Sequence, residues 1–199
     1  MMRIECRLCG SGGQGIILAG IILAEAAGIH EGREVAQVQD YGPAARGDSS
    51  KTDVVISDSE IDYPKCSRLD VLVALSQRAY GENRASLKEG GVLIVDSDNV
   101  TIAKSEGGLQ FPMTEIARDA AGTPVGVNMV ALGVLAAVGG VVKLSSVKNA
   151  MLARVPAHTR NQNLAALMAG YEEAKSGLKG ETGKRKKGEK KTTKTEARR

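Results

Sequence analysis

The chain has almost no aromatic residues: one Phe, four Tyr and no Trp in 199 residues. A core built on aromatic side chains is therefore excluded, and Val, Ile, Leu, Ala and Met must fill the interior. That composition favours a buried sheet covered by Ala-rich helices over an aromatic β-sandwich. Cysteine is also scarce, at three. An odd trio makes no disulfide framework and suits a reducing cytoplasm. It also provides no iron–sulfur ligand set, because Cys66 is the only cysteine besides Cys6 and Cys9. No apolar run reaches the roughly 20 residues of a membrane span. The nearest, 125–142, is interrupted by Asn128 and glycines. No basic segment followed by a long apolar one opens the chain, so no signal peptide is expected.

The net charge of +4 hides two halves of opposite sign. Residues 175–199 hold 11 Lys/Arg against 3 Asp/Glu, a balance of +8; residues 1–174 hold 16 against 20, a balance of −4. The body is mildly acidic and the basic character lies at the end. Residues 177–199 contain almost nothing apolar and are expected to form a disordered basic tail after a single α/β domain over 1–176. Such a tail is a solvated appendage or a weak, salt-sensitive contact with nucleic acid or acidic proteins.

Alternating patterns predict a three-layer α/β/α domain with a mostly parallel or mixed central sheet. Strands are expected at 4–8, 34–39, 52–57, 71–75 and 91–95. Helices are expected at 15–28, 78–87, 113–121, 128–138, 145–152 and 161–176. The first βα unit is Rossmann-like. Its turn reads Gly10-Ser11-Gly12-Gly13-Gln14-Gly15, between a strand and an apolar helix. Such a loop lets backbone approach a phosphate, with helix N–H groups behind it. It also serves tight strand–helix packing.

A dinucleotide site further requires an acid at the end of the second strand. The candidate, Asp40, is followed by Tyr41-Gly42-Pro43-Ala44-Ala45-Arg46-Gly47, which is not an ordinary strand-to-helix turn. A complete NAD site is not expected. Arg46 offers a planar donor fork for carboxylate or phosphate, and Tyr41 a flat face with a hydroxyl. The plainer alternative is a surface loop with a solvated Arg.

Cys6-Arg7-Leu8-Cys9 spells C-x-x-C, but strand residues three apart face opposite ways and no second ligand pair is present. No metal site is expected. His30 and His158 belong to no catalytic spacing, and no catalytic residue is assigned. Asp96-Ser97-Asp98 follows a buried strand, where helix capping is the plain explanation.

Six ordered motifs resemble the gamma subunit of the 2-oxoacid:ferredoxin oxidoreductases, most closely the 2-oxoglutarate (KorC-type) branch. They are G-S-G-G-Q-G at 10–15, Y-G-P-A-A-R-G at 41–47, V-V-I-S-D-S-E-I-D-Y-P at 54–64, D-V-L-V-A-L-S-Q at 70–77, G-G-V-L-I-V-D-S at 90–97 and N-M-V-A-L-G at 128–133. The resemblance covers about 3–173. It implies a cytoplasmic complex that oxidatively decarboxylates a 2-oxoacid with coenzyme A to acyl-CoA, CO2 and reduced ferredoxin. Alpha and beta subunits would carry thiamine diphosphate, and iron–sulfur clusters would lie on other chains, including a ferredoxin-like delta subunit. The gamma chain would be inactive alone.

Gly10, Gly12, Gly13, Gln14, Gly15, Tyr41 and Arg46 are the residues expected to contact coenzyme A or close the active site. Asp48 departs from the small residue usual after Arg-Gly, and the basic tail is not a family feature. The small subunit of indolepyruvate:ferredoxin oxidoreductase shares the glycine loop and is the near alternative. A free-standing nucleotide-binding module and a tail-mediated nucleic-acid binder are the alternatives of another class. Neither membrane nor nucleic acid is an expected partner.

Overall fold

A computed structural model describes the backbone of residues 2–41 and 49–196, with side chains for 2–40 and 49–178. Six strands form one mixed sheet in the order β2-β3-β1-β4-β5-β6. They are β1 (Arg3–Ser11), β2 (Glu34–Tyr41), β3 (Ser49–Ser57), β4 (Leu69–Ala74), β5 (Leu87–Asp96) and β6 (Leu109–Phe111). β1, β4, β5 and β6 run parallel, while β3 is antiparallel to both β1 and β2. The helices are α1 (Ile16–Glu31), α2 (Gln77–Asn83), α3 (Met113–Ala121), α4 (Val127–Val138), α5 (Leu144–Arg154) and α6 (Arg160–Glu196). Among the described residues no helix is long and apolar enough to cross a membrane.

Strand alternation divides the interior into two cores. Cys6, Leu8, Val54, Ile56, Val71, Val73 and Ile94 face the larger one, with α1 and α3–α6. Cys9, Leu72, Ala74, Leu93 and Val95 face a smaller one, covered by Ala79 and Tyr80 of α2. The three layers are thus present but uneven. On the smaller-core side Arg7 and Asp53 are both buried. They form a two-pronged ion pair at 2.6 and 2.7 Å, and Asn83 accepts a further Arg7 N–H at 3.1 Å. Burial of two charges is tolerable only when they are paired in this way.

The first βα unit, β1–glycine loop–α1, stands as expected, but the sheet departs from a dinucleotide fold beyond it. α1 does lead from β1 to a parallel β2, but β3 is inserted between them. β2 therefore lies two strand spacings from β1, roughly 9–10 Å. Asp40 sits exposed on that outer strand and pairs with Lys51 at 3.2 Å. It is displaced from the place where a ribose acid stands in a dinucleotide fold, which removes the NAD reading on geometric grounds.

Smaller corrections concern element ends. β1 continues through Gly10 and Ser11, because both pair with β3. The helix expected over 78–87 is shorter: α2 stops at Asn83, a 3-10 turn covers Arg84–Ser86, and Leu87 already belongs to β5. β6, at three residues, is too short for a pattern to announce it. The described backbone of α6 runs on to Glu196, into the segment expected as a tail.

Candidate functional site

The connection that leaves β1 runs through α1 to the β2–β3 side of the sheet, and the one that leaves its neighbour β4 runs through α2 to β5 on the other side. The crevice at the carboxyl ends of β1 and β4 is therefore the switch point of this sheet, where ligands of open α/β folds bind. The glycine loop occupies it.

Gln14 holds the loop in shape. Its Oε1 accepts the Ser11 N–H at 2.7 Å, and its Nε2 donates to the Leu75 carbonyl at 3.0 Å. One side chain thus ties the end of β1 to the end of β4. Gly10 leaves room for this bridge, since a Cβ there would stand 2.5 Å from Gln14 Oε1. Gly12 and Gly13 form the exposed tip, and Gly13 takes a left-handed φ of 94°. Gly15 caps α1 at φ 70°, with no side-chain cap and no acid in the first helical turn. The first intrahelical bond of α1 joins the Ala19 N–H to the Gly15 carbonyl at 3.0 Å. The N–H groups of Ile16, Ile17 and Leu18 have no acceptor within the helix, and the helix dipole makes this end electropositive.

Six of the seven expected site residues share this end of the sheet. Gly10 pairs with Ser50 of β3, which pairs in turn with Tyr41 of β2. The three lie in one row across the strands. Arg46 lies outside the described residues, as does the Tyr41 side chain. Gly10 and Gln14 are engaged within the loop itself, and Gly12, Gly13 and the start of α1 face outward.

One residue of the site escaped the sequence reading. Asn128, the second residue of α4, donates from Nδ2 to the Gly15 carbonyl at 3.2 Å, and its Oδ1 accepts the Met129 N–H at 2.9 Å. The signal was a single polar residue near the start of an otherwise apolar helix. Asp96 behaves as the capping reading expects. It is fully buried, and its carboxylate accepts the Met113 and Thr114 N–H groups at the start of α3.

The cysteines offer no ligand set. Cys6 and Cys9 project into opposite cores, and Cys66 is half-buried beside the smaller one. Among the described residues no group of three His, Cys, Asp or Glu side chains could hold a metal ion. Burial raises the Cys6 thiol and pushes those of Cys9 and Cys66 up to about 12. Near neutrality they are thiols and poor nucleophiles.

A pH dependence follows. Below the ordinary value of 9.0, folded and unfolded chains both keep these protons. Above it the unfolded chain releases them first, so stability falls as pH rises from 9.0 towards about 12. The urea midpoint is expected to drop between pH 8 and pH 11, and to drop less steeply in the Cys9→Ala/Cys66→Ala double variant. Equal slopes for the two proteins would contradict it.

Comparison with known proteins shows the family and the fold. The family model "Pyruvate ferredoxin/flavodoxin oxidoreductase" matches residues 5–173. The 2-oxoglutarate synthase subunit KorC of Methanocaldococcus jannaschii is 46% identical over 178 residues, covering 87% of this chain and 95% of the relative. The keto/oxoacid ferredoxin oxidoreductase gamma subunit of Geobacter sulfurreducens PCA has a solved structure similar to this one. Its TM-score is 0.78 at 42% identity, over 87% of this chain and 97% of that one. A 2-oxoglutarate:ferredoxin oxidoreductase from Magnetococcus marinus, solved with 2-oxoglutarate, coenzyme A and succinyl-CoA bound, shares the fold. There the TM-score is 0.74 at 23% identity, over 88% of this chain and 32% of that one.

Proposed function

The chain belongs to the pyruvate ferredoxin/flavodoxin oxidoreductase family, and on that premise we propose that its glycine loop contacts coenzyme A in the assembled enzyme. The chain is a gamma subunit of the 2-oxoglutarate:ferredoxin oxidoreductase type. In this reading the complex converts 2-oxoglutarate, coenzyme A and oxidised ferredoxin to the acyl-CoA, CO2 and reduced ferredoxin, in the cytoplasm. Thiamine diphosphate on the alpha and beta subunits supplies the carbanion sink, and iron–sulfur clusters on other chains, a ferredoxin-like delta subunit among them, carry single electrons. The gamma chain contributes binding and enclosure.

The observation that carries the reading is the position of the exposed Gly12–Gly13 tip. It stands at the switch point, in front of a helix end with neither a capping side chain nor an acid. Side-chain-free backbone there admits a phosphate or pyrophosphate, and unpaired N–H groups favour its charge. The row of Gly10, Ser50 and Tyr41 brings the end of β2 and the start of β3 to the same end of the sheet as the loop.

Gly12→Leu and Gly13→Leu in the assembled complex are expected to weaken coenzyme A binding about tenfold, the scale of one lost charge-assisted hydrogen bond. Calorimetric titration measures it. Unchanged affinity with intact assembly would mean that the loop serves packing alone.

A further inference from the structure

We infer that Asn128 is a positioning residue for coenzyme A binding, because it sets the conformation in which the glycine loop presents its backbone. The inference rests on the glycine-loop reading above.

The loop has an amide anchor on each side of its tip. Gln14 fixes the strand side to Leu75 of the β4 end. Asn128 fixes the helix side by gripping the carbonyl of Gly15, 113 residues earlier in the chain. The contact is close: a Cβ on Gly15 would stand 2.3 Å from Asn128 Nδ2, and Gly15 needs the left-handed φ of 70° besides. Gly12 and Gly13 lie between these anchors and make no such side-chain contact of their own.

Asn128 is out of place as a core residue. Val127 to Leu135 are all buried, and Asn128 is the only polar side chain among them. A polar side chain in an apolar helix costs stability unless its groups are bonded. Leucine or alanine would fill this helix more cheaply. Both of its polar atoms are bonded instead, one to the first turn of α4 and one to the last carbonyl of the loop. α4 itself is locked against α6, where Gly170 allows close backbone approach. The amide thus references the loop to a rigid part of the fold, as a preorganised site requires.

Gly15 makes the effect directional. Its carbonyl accepts both the Asn128 amide and the Ala19 N–H that begins α1. Loss of the first bond lets that peptide plane turn, and the N–H directions of the loop and the first helical turn change with it. A binding site of this kind is sensitive to shifts well below 1 Å.

The test uses the assembled complex and three variants. Asn128→Asp is isosteric, keeps the acceptor for the Met129 N–H and loses the donor to Gly15. A carboxylate at a helix N-terminus is electrostatically favourable, which supports folding of this variant. Asn128→Ser is a small residue tolerated at a helix start and too short to reach the Gly15 carbonyl. Gly13→Leu blocks the tip directly.

For both Asn128 variants the Kd for coenzyme A by calorimetry, and its KM, are expected to rise about five- to tenfold. The kcat and the KM for 2-oxoglutarate are expected to stay within about twofold, a split that general destabilisation does not produce. Unchanged coenzyme A affinity in the Asn128 variants, with Gly13→Leu still weakening it, overturns the positioning role and leaves the glycine-loop reading standing. Unchanged affinity in all three overturns both. An equal fall in every parameter, in step with lost subunit assembly, assigns Asn128 to folding and also overturns the inference.

Discussion

Gly133→Val is expected to prevent stable folding of the chain. α4 and α6 cross so closely that a Cβ on Gly133 would stand 2.1 Å from the Leu167 carbonyl oxygen, and one on Gly170 would stand 2.2 Å from that of Val130. Both obstacles are backbone, so no side chain can turn aside. The helices would have to separate, and α4 is buried along its first nine residues. Overpacking usually costs about 1–3 kcal/mol, and a backbone clash at a central helix pair belongs at or beyond the upper end. Gly133→Ala is expected to lose about 3 kcal/mol by urea unfolding. Gly81→Ala in α2 provides the contrast. It meets nothing within 4 Å and has ordinary helical geometry. There the change is expected to stabilise by about 0.5–1 kcal/mol, since alanine restricts the unfolded chain more than glycine does. Opposite signs for one chemical substitution would separate tertiary packing from helix propensity. A mild effect at Gly133 would show that the two helices are free to move apart.

Asp96→Ala is expected to destabilise by about 3 kcal/mol, the upper end of the cost of stranding buried donors. The carboxylate is fully buried at the end of β5 and is the acceptor for an entire corner of the fold. Oδ1 accepts the N–H groups of Asp98, Met113 and Thr114 at 3.2, 2.9 and 3.3 Å. Oδ2 accepts the Thr114 hydroxyl at 2.6 Å and the Asn99 amide at 2.7 Å. α3 begins after Pro112, which has no side-chain cap to offer, so Asp96 caps it from a distance in sequence. Alanine would strand these donors, three of them backbone groups that cannot turn to other partners. Asp96→Asn keeps one acceptor oxygen and sets an amide N–H2 against the donors on the other side, so a smaller loss is expected. Thermal unfolding of the three proteins gives the ranking. Equal stability of Asp96→Asn and Asp96→Ala would show that the Oδ1 bonds contribute little.

How far the sequence could be read depended on whether a feature is local. The alternation of Cys6, Arg7, Leu8 and Cys9 about one strand, and their division between two cores, was legible because a strand's period is fixed by its own backbone. The C-x-x-C pair was separable from a metal site for the same reason. The glycine loop was legible as a turn between strand and helix. Its internal bonding was not, because nothing in G-S-G-G-Q-G says that Gln14 reaches Leu75 rather than a ligand. The Arg7–Asp53 pair joins strands that meet only in the sheet, so no local spacing announces it.

The sequence by itself determined the α/β class, the Val/Ile/Leu/Ala core, the loop between β1 and α1, and the family through its ordered motifs. Those follow from side-chain volume, period and turn chemistry over a few residues. Tertiary structure alone decided that β3 enters between β1 and β2, carrying Asp40 away from the glycine loop. It also decided that α4 packs inside this chain against α6 and that Asn128 reaches Gly15. Such pairings depend on which surfaces meet after the chain has folded back on itself, and hydrophobic patterning says that a face will be covered without saying by what.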